Sequence, residues 1–278
     1  MMEVRKIMKT LKKFFVVLTA AVLLCAAVLP AAGVETAETA QASAQYTQTY
    51  ESGTSVFSNG KYSYYMTKDS NANYYLIKKT VKTGKTKTIK KFKMIGESAD
   101  SADGYAVTAV YAGNVYICRT SESQWKKWTY VYNLKKGKVI KKYANKEIIA
   151  VSGSSAVVQH EYVTDVSPTK QSLYKLTSKG MKKVKALGNN VRQAEFVSGK
   201  LYYAVYPNAD SGKVTSMDKA VICRINKNGK SKKKLCSYKV PSSYGGAGLY
   251  IEKYKKKYCI VTYYTSTKGN VTKKLKYK

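Results

Sequence analysis

Ser198-Gly199-Lys200-Leu201-Tyr202-Tyr203-Ala204-Val205-Tyr206 and, further along, Val221-Ile222-Cys223-Arg224-Ile225-Asn226-Lys227-Asn228-Gly229-Lys230-Ser231-Lys232-Lys233-Lys234-Leu235 hold the pattern from which the fold is read. Each run is rich in β-branched and aromatic residues, as strands prefer, and each follows or contains a glycine turn. Asn228-Gly229 is the strongest hairpin signal, because both residues tolerate the positive φ that a tight turn requires. Counting back from that turn places Cys223 opposite Lys234, so Cys236 falls out of register with Cys223.

The same unit recurs along the chain. A first turn (Ser58-Asn59-Gly60-Lys61, Ala112-Gly113-Asn114, Ser152-Gly153-Ser154, Ser198-Gly199-Lys200) precedes a strand, at Tyr62–Met66, Val115–Arg119, Ala156–Glu161 and Leu201–Tyr206. A second turn (Thr83-Gly84-Lys85, Lys136-Gly137-Lys138, Lys179-Gly180-Met181, Asn228-Gly229-Lys230) precedes a lysine-rich strand. The two glycines of a unit lie 24, 24, 27 and 30 residues apart, and successive first glycines 53, 40 and 46 apart. Such periods match four-stranded propeller blades of roughly 40–50 residues. A fifth unit begins at Leu249-Tyr250-Ile251, turns at Lys255-Lys256-Lys257, continues as Tyr258–Tyr264 and ends with Val271–Tyr277, one strand short. The expectation is therefore an all-β chain, a β-propeller of five four-stranded blades, with the N-terminal strand at Gln45–Glu51 closing the last blade. No stretch has the period and caps of an amphipathic helix.

The stretches SGKLYYAVY and VICRINKNGKSKKKL resemble propeller-like repeats of secreted and cell-wall-associated proteins of Gram-positive bacteria, a domain of unknown function. The resemblance spans most of 45–278 and implies a binding or structural role; it transfers no catalytic residue.

Residues 1–44 read as an address. Arg5, Lys6, Lys9, Lys12 and Lys13 precede an uncharged run from Phe14 to Leu29, and Ala42-Ser43-Ala44 forms an A-x-A cleavage site. Sixteen apolar residues fall short of the ~20 of a membrane span, so a cleaved secretory signal is expected, with a retained anchor as the alternative. Residues 45–278 then form a single exported domain, extracellular or held at the cell wall, with no transmembrane segment.

The 278 residues carry 50 Lys+Arg against 16 Asp+Glu, a formal charge of +34. Without 1–44 the charge is +32, and among its basic residues only Arg119, Arg192 and Arg224 are arginines. Lysine is a hydrated point charge, suited to diffuse, salt-sensitive attraction rather than bidentate recognition. Lys90 and Lys91, Lys141 and Lys142, Lys182 and Lys183, and Lys232, Lys233 and Lys234 cluster at the second turn and last strand of each unit, and are the candidate polyanion-binding residues. Lysine on an edge strand also blocks unwanted pairing, but so large an excess points to an anionic envelope polymer or polysaccharide as partner, without specific nucleic-acid recognition.

Tyr202 and Tyr203 are candidates for stacking on a ligand, since neighbours on a strand point to opposite faces and one of the pair can remain open, and so are Trp125 and Trp128, which flank Lys126-Lys127 near a loop-to-strand boundary. His160-Glu161 lacks the serine or cysteine context of a triad. Glu97, Asp100 and Asp103 are oxygen-rich without EF-hand spacing. Cys118, Cys223, Cys236 and Cys259 permit two disulfides with three connectivities. With no recognisable catalytic or nucleotide-binding motif, the expectations are no cofactor, no metal, and a protein that is not an enzyme. The competing readings are a polysaccharide-acting enzyme on a propeller scaffold and a purely structural surface protein.

Overall fold

The computed structural model describes residues 45–93, 104–121, 126–160, 169–209, 217–241, 248–265 and 268–278. They form nineteen antiparallel strands and no helix. The first sheet runs β1 (Thr47–Glu51), β2 (Thr54–Ser58), β3 (Tyr62–Lys68), β4 (Tyr74–Thr80) and β5 (Thr86–Phe92). The second holds β6 (Gly104–Tyr111), β7 (Asn114–Ser121), β8 (Lys126–Asn133) and β9 (Lys138–Ala144). The third holds β10 (Lys146–Ser152), β11 (Ser155–His160), β12 (Thr169–Thr177), β13 (Gly180–Val197), β14 (Lys200–Val205), β15 (Lys219–Asn226) and β16 (Lys233–Lys239). The last holds β17 (Leu249–Tyr254), β18 (Tyr258–Thr265) and β19 (Gly269–Lys276).

All eight repeat glycines adopt positive φ, from 58° at Gly153 to 120° at Gly180. They are the tight turns that set each hairpin register. Cys223 pairs with Lys234 and Ile222 with Cys236, the shift being absorbed by a bulge.

Two expectations are corrected. Five separate four-stranded sheets are not what forms: the sheets have five, four, seven and three strands. The seven-stranded sheet arises because β13 is continuous for 18 residues, its first part pairing with β12 and its last with β14. Gly188, Asn190 and Gln193 have positive φ at its middle, which redirects the strand without ending it. Nor does the N-terminal strand close the last sheet. β1 pairs with β2, Thr47 opposite Ser58, through a Ser52-Gly53 turn in which both residues have positive φ. A local two-residue hairpin closes at far lower entropic cost than pairing across the length of the domain.

The sheets are held by apolar layers between them. Phe57, Tyr64, Met66 and Leu76 of the first sheet pack on Val107, Val115 and Ile117 of the second. Tyr116 and Val131 of the second pack on Ala156, Val158 and Leu176 of the third. The third sheet folds on itself at β13, burying Val157 and Leu173 against Leu201, Tyr203 and Ile225. Its far half, through Tyr202, Ala204 and Ile222, then packs on Leu249, Ile251, Cys259 and Val261 of the last sheet. Period-two alternation thus serves two cores at once: Val115 and Ile117 face one layer, Tyr116 the other.

Polar bridges join the same layers. Asn114 Nδ2 donates to the carbonyls of Thr177 and Ser178, each at 3.0 Å. Tyr206 Oη donates to Gln193 Oε1 at 2.7 Å and to Leu249 O at 2.8 Å, and Gln193 Oε1 also accepts from Ile251 N at 3.1 Å.

Turn chemistry predicts a graded response. A Cβ at Gly229 would meet Val184 Cγ1 at 3.0 Å and Lys185 Cβ at 3.1 Å, whereas Gly60 faces nothing within 4 Å; both have positive φ. Gly60→Ala is expected to cost about 1 kcal/mol through φ alone and Gly229→Ala about 2 kcal/mol or more. The order of their urea midpoints checks this.

Candidate polyanion-binding surface

All nine lysines named from the sequence are exposed. Lys90 and Lys91 lie on β5, Lys141 and Lys142 on β9, Lys182 and Lys183 on β13, and Lys233 and Lys234 on β16 just after Lys232. β5, β9 and β16 end their sheets, Lys182 and Lys183 lie on the part of β13 that pairs with β12 alone, and β19, at the end of the last sheet, carries Lys273, Lys274 and Lys276.

Contacts link these strands in succession. Tyr132 Oη of β8 donates to Ile89 O of β5 at 3.4 Å. Tyr143 Oη of β9 accepts from Met181 N at 2.8 Å, which brings the Lys179–Gly180 turn beside Lys141. The Gly229 turn lies against Val184 and Lys185. The lysine groups at 141–142, 182–185 and 230–234 therefore adjoin one another.

What lies beside these ammonium groups is aromatic rather than acidic. Lys91 Nζ lies 5.6 Å from the Tyr75 ring centre, Lys141 5.6 Å from Tyr143, Lys142 5.4 Å from Trp128 and 5.5 Å from Tyr130, and Lys232 5.9 Å from Tyr203. Lys78 reaches 3.6 Å from Tyr62, and Lys274 4.1 Å from Tyr258. Each such contact is worth about 0.5–1 kcal/mol at an exposed site and leaves the ammonium charge intact. Among the described residues, none of the nine lysines pairs with a carboxylate. Ion pairs occur elsewhere, Lys127 with Glu147 at 2.6 Å and Lys239 with Asp218 at 3.8 Å. Cross-strand Lys–Tyr pairing leaves only one trace in the sequence: Tyr and Lys runs at matching positions of strands that pair.

The stacking candidates are corrected. Tyr202 and Tyr203 are 1% and 0% exposed. The reasoning that one of a tyrosine pair stays open fails here because β14 is covered on both faces. It holds where a sheet has one covered face: Tyr263 is 2% exposed and Tyr264 56%. Trp128 is buried too, with the Arg119 guanidinium 4.6 Å from its ring centre. Trp125 lies outside the described residues, as do Glu97, Asp100, Asp103 and Glu161. His160 Nε2 is 3.1 Å from Ser172 Oγ within the sheet. No group of three or more His, Cys, Asp or Glu that could hold a metal ion occurs among the described residues, and no described helix is long and apolar enough to cross a membrane. Residues 1–44 are not among those described.

Neither a family model nor a curated protein matches the chain. Solved structures do. A prolyl endopeptidase is 12% identical over 80% of this chain and 31% of its own, with a TM-score of 0.45. An oligogalacturonate lyase in complex with manganese is 13% identical over 77% and 61%, with a TM-score of 0.42. The β-propeller domain of the Trilobed protease from Pyrococcus furiosus is 11% identical over 84% and 83%, with a TM-score of 0.32. The described residues form an all-β fold. The chain spans about a third of the prolyl endopeptidase and three fifths of the lyase. The expectation that the protein is not an enzyme is corrected: the neighbours found are structures of peptidases and a lyase, and the want of a recognisable motif gives no ground for excluding catalysis. At such identities and TM-scores the likeness carries no active-site residue over to this chain.

The buried tyrosines carry a pH dependence. Burial pushes the Tyr116, Tyr206 and Tyr254 hydroxyls well above the usual tyrosine range. Unfolded tyrosines ionise near pH 10, so the folded state holds protons that the unfolded state releases, and stability is lost as pH rises past that point. Lysine deprotonation relieves repulsion and acts oppositely. A urea midpoint that falls from about pH 10 upward is expected; one that rises would show charge relief dominating instead.

Proposed function

We propose that the protein is an exported, cell-surface-associated module that binds anionic envelope polymers through the lysine groups on its outer strands. The single observation behind this reading is the arrangement of those groups: successive outer strands adjoin and present exposed ammonium groups that no described carboxylate neutralises. In the finer architecture proposed here, five units follow one another in propeller order, as β2–β5, β6–β9, β10–β13, β13–β16 and β17–β19. β13 serves two of them, and the last lacks a fourth strand. The sequence of 1–44, read as a secretory signal, supports export.

A repeating phosphate or carboxylate polymer suits this surface. Neutralising several of its charges releases condensed counterions, so affinity falls steeply with salt. Lysine point charges, unlike arginine forks, impose little geometric selection. A polymer defined by charge spacing is therefore preferred over one defined by base sequence.

Titration of poly(glycerol phosphate) against the protein tests the reading, with neutral dextran as the control. Binding is expected to be saturable, to weaken by about 100-fold or more between ~50 and ~200 mM salt, and to lose about one unit of log–log salt slope for each engaged lysine replaced. Lys182→Gln, Lys183→Gln, Lys232→Gln, Lys233→Gln and Lys234→Gln combined should flatten that slope while the urea midpoint stays put. Salt-indifferent retention, or no saturable binding at ~150 mM salt, would overturn the reading and favour a charge that is only colloidal.

A further inference from the structure

Cys236 and Cys259 belong to different sheets, yet they meet. Cys236 lies on β16, opposite Ile222, and Cys259 on β18, between Tyr254 and Leu275. Both take part in the apolar layer that holds the last sheet on its neighbour. Three contacts fix the approach of these strands independently of sulfur. Lys278 N donates to Leu235 O at 3.1 Å. Tyr238 Oη donates to Tyr263 Oη at 3.2 Å, with ring centres 5.8 Å apart. Lys273 Nζ lies 5.4 Å from the Tyr238 ring centre.

The two thiols are unlike in a useful way. Cys236 is partly open to solvent, whereas Cys259 is fully buried. A hydrogen bond from the Cys259 thiol to Cys236 sulfur holds the Cys236 thiol below its usual range and raises that of Cys259. Cys118 on β7 and Cys223, which belongs to a different layer, are also buried, and burial pushes the Cys118 thiol up to about 12.

We propose that Cys236 and Cys259 form a disulfide that staples the three-stranded last sheet to the seven-stranded one, by exchange with a small organic disulfide or a disulfide oxidoreductase. The Cys236 thiolate attacks one sulfur of the donor disulfide and displaces the first donor thiolate, leaving a mixed disulfide on Cys236. Cys259 then loses its proton and attacks Cys236 sulfur, expelling the second donor thiolate. Two protein thiols are oxidised and one donor disulfide is reduced to two thiols. Bond formation draws the sulfurs to about 2.0 Å, and the last sheet, which among the described residues packs through one apolar layer, is the body that moves.

The experiment treats the full chain with oxidised glutathione, alkylates free thiols under denaturing conditions and maps peptides by mass. The expected result is a linked Cys236–Cys259 peptide, with Cys118 and Cys223 alkylated. In Cys259→Ser the first step should proceed and the second fail, leaving glutathione on Cys236; in Cys236→Ser no adduct should form. Alkylation of both Cys236 and Cys259, a stable glutathione adduct on Cys236 of the unsubstituted chain, or a Cys223–Cys236 link would each overturn the proposal. The mapping of the unsubstituted chain decides it even if a serine variant fails to fold.

Discussion

Burial of sheet faces against one another is the constraint from which the rest of the structure follows. Three to seven short strands with period-two alternation cannot make a core alone; a face must be covered by the next sheet. Each large apolar side chain buried this way contributes about 1.5–3 kcal/mol, and the layers contain many. Where a strand is covered on both sides it reads as an unbroken apolar run, as at Val115–Cys118 and Leu201–Ala204. Where one side is open, alternation returns: Cys259, Val261 and Tyr263 are buried, while Tyr258, Ile260, Thr262 and Tyr264 are partly or fully exposed.

The charge distribution is a consequence of that layering. Outer strands contribute least to the layers, so they can hold lysines without burying them, and their aromatic neighbours give the ammonium groups a surface to lie on. The inner strands are occupied by packing and by bridges such as Asn114 to the Thr177–Ser178 carbonyls. Some described acidic side chains are engaged locally: Asp69 accepts from Asn71, Asn73 and Tyr75, and Glu195 accepts from Tyr254 N. The positive excess is thus carried outward on the strands best able to meet a partner.

Much of this was legible in the residues. Glycine pairs marked the turns because only a residue free of a Cβ takes positive φ cheaply, and the lysine runs marked outer strands because charge is excluded from the layers. Three features were not legible. The continuity of β13 depends on Asn190 and Gln193 accepting positive φ, which their residue types permit but do not announce. The β1–β2 hairpin competes with a long-range pairing, and local alternation fits both; chain entropy decides between them. Burial of both Tyr202 and Tyr203 depends on how many faces of β14 are covered, a property of the neighbours rather than of the strand.

Among the described residues no apolar layer joins β17–β19 to β1–β5, so the end sheets are each covered on one face and the middle ones on two. Native-state hydrogen exchange tests that picture most directly. If mutual burial is what stabilises the sheets, amides of β18 and β3 should exchange through openings of lower free energy than those of β7, β11 and β14. Equal protection of end and middle strands, or greater protection of β18, would contradict it.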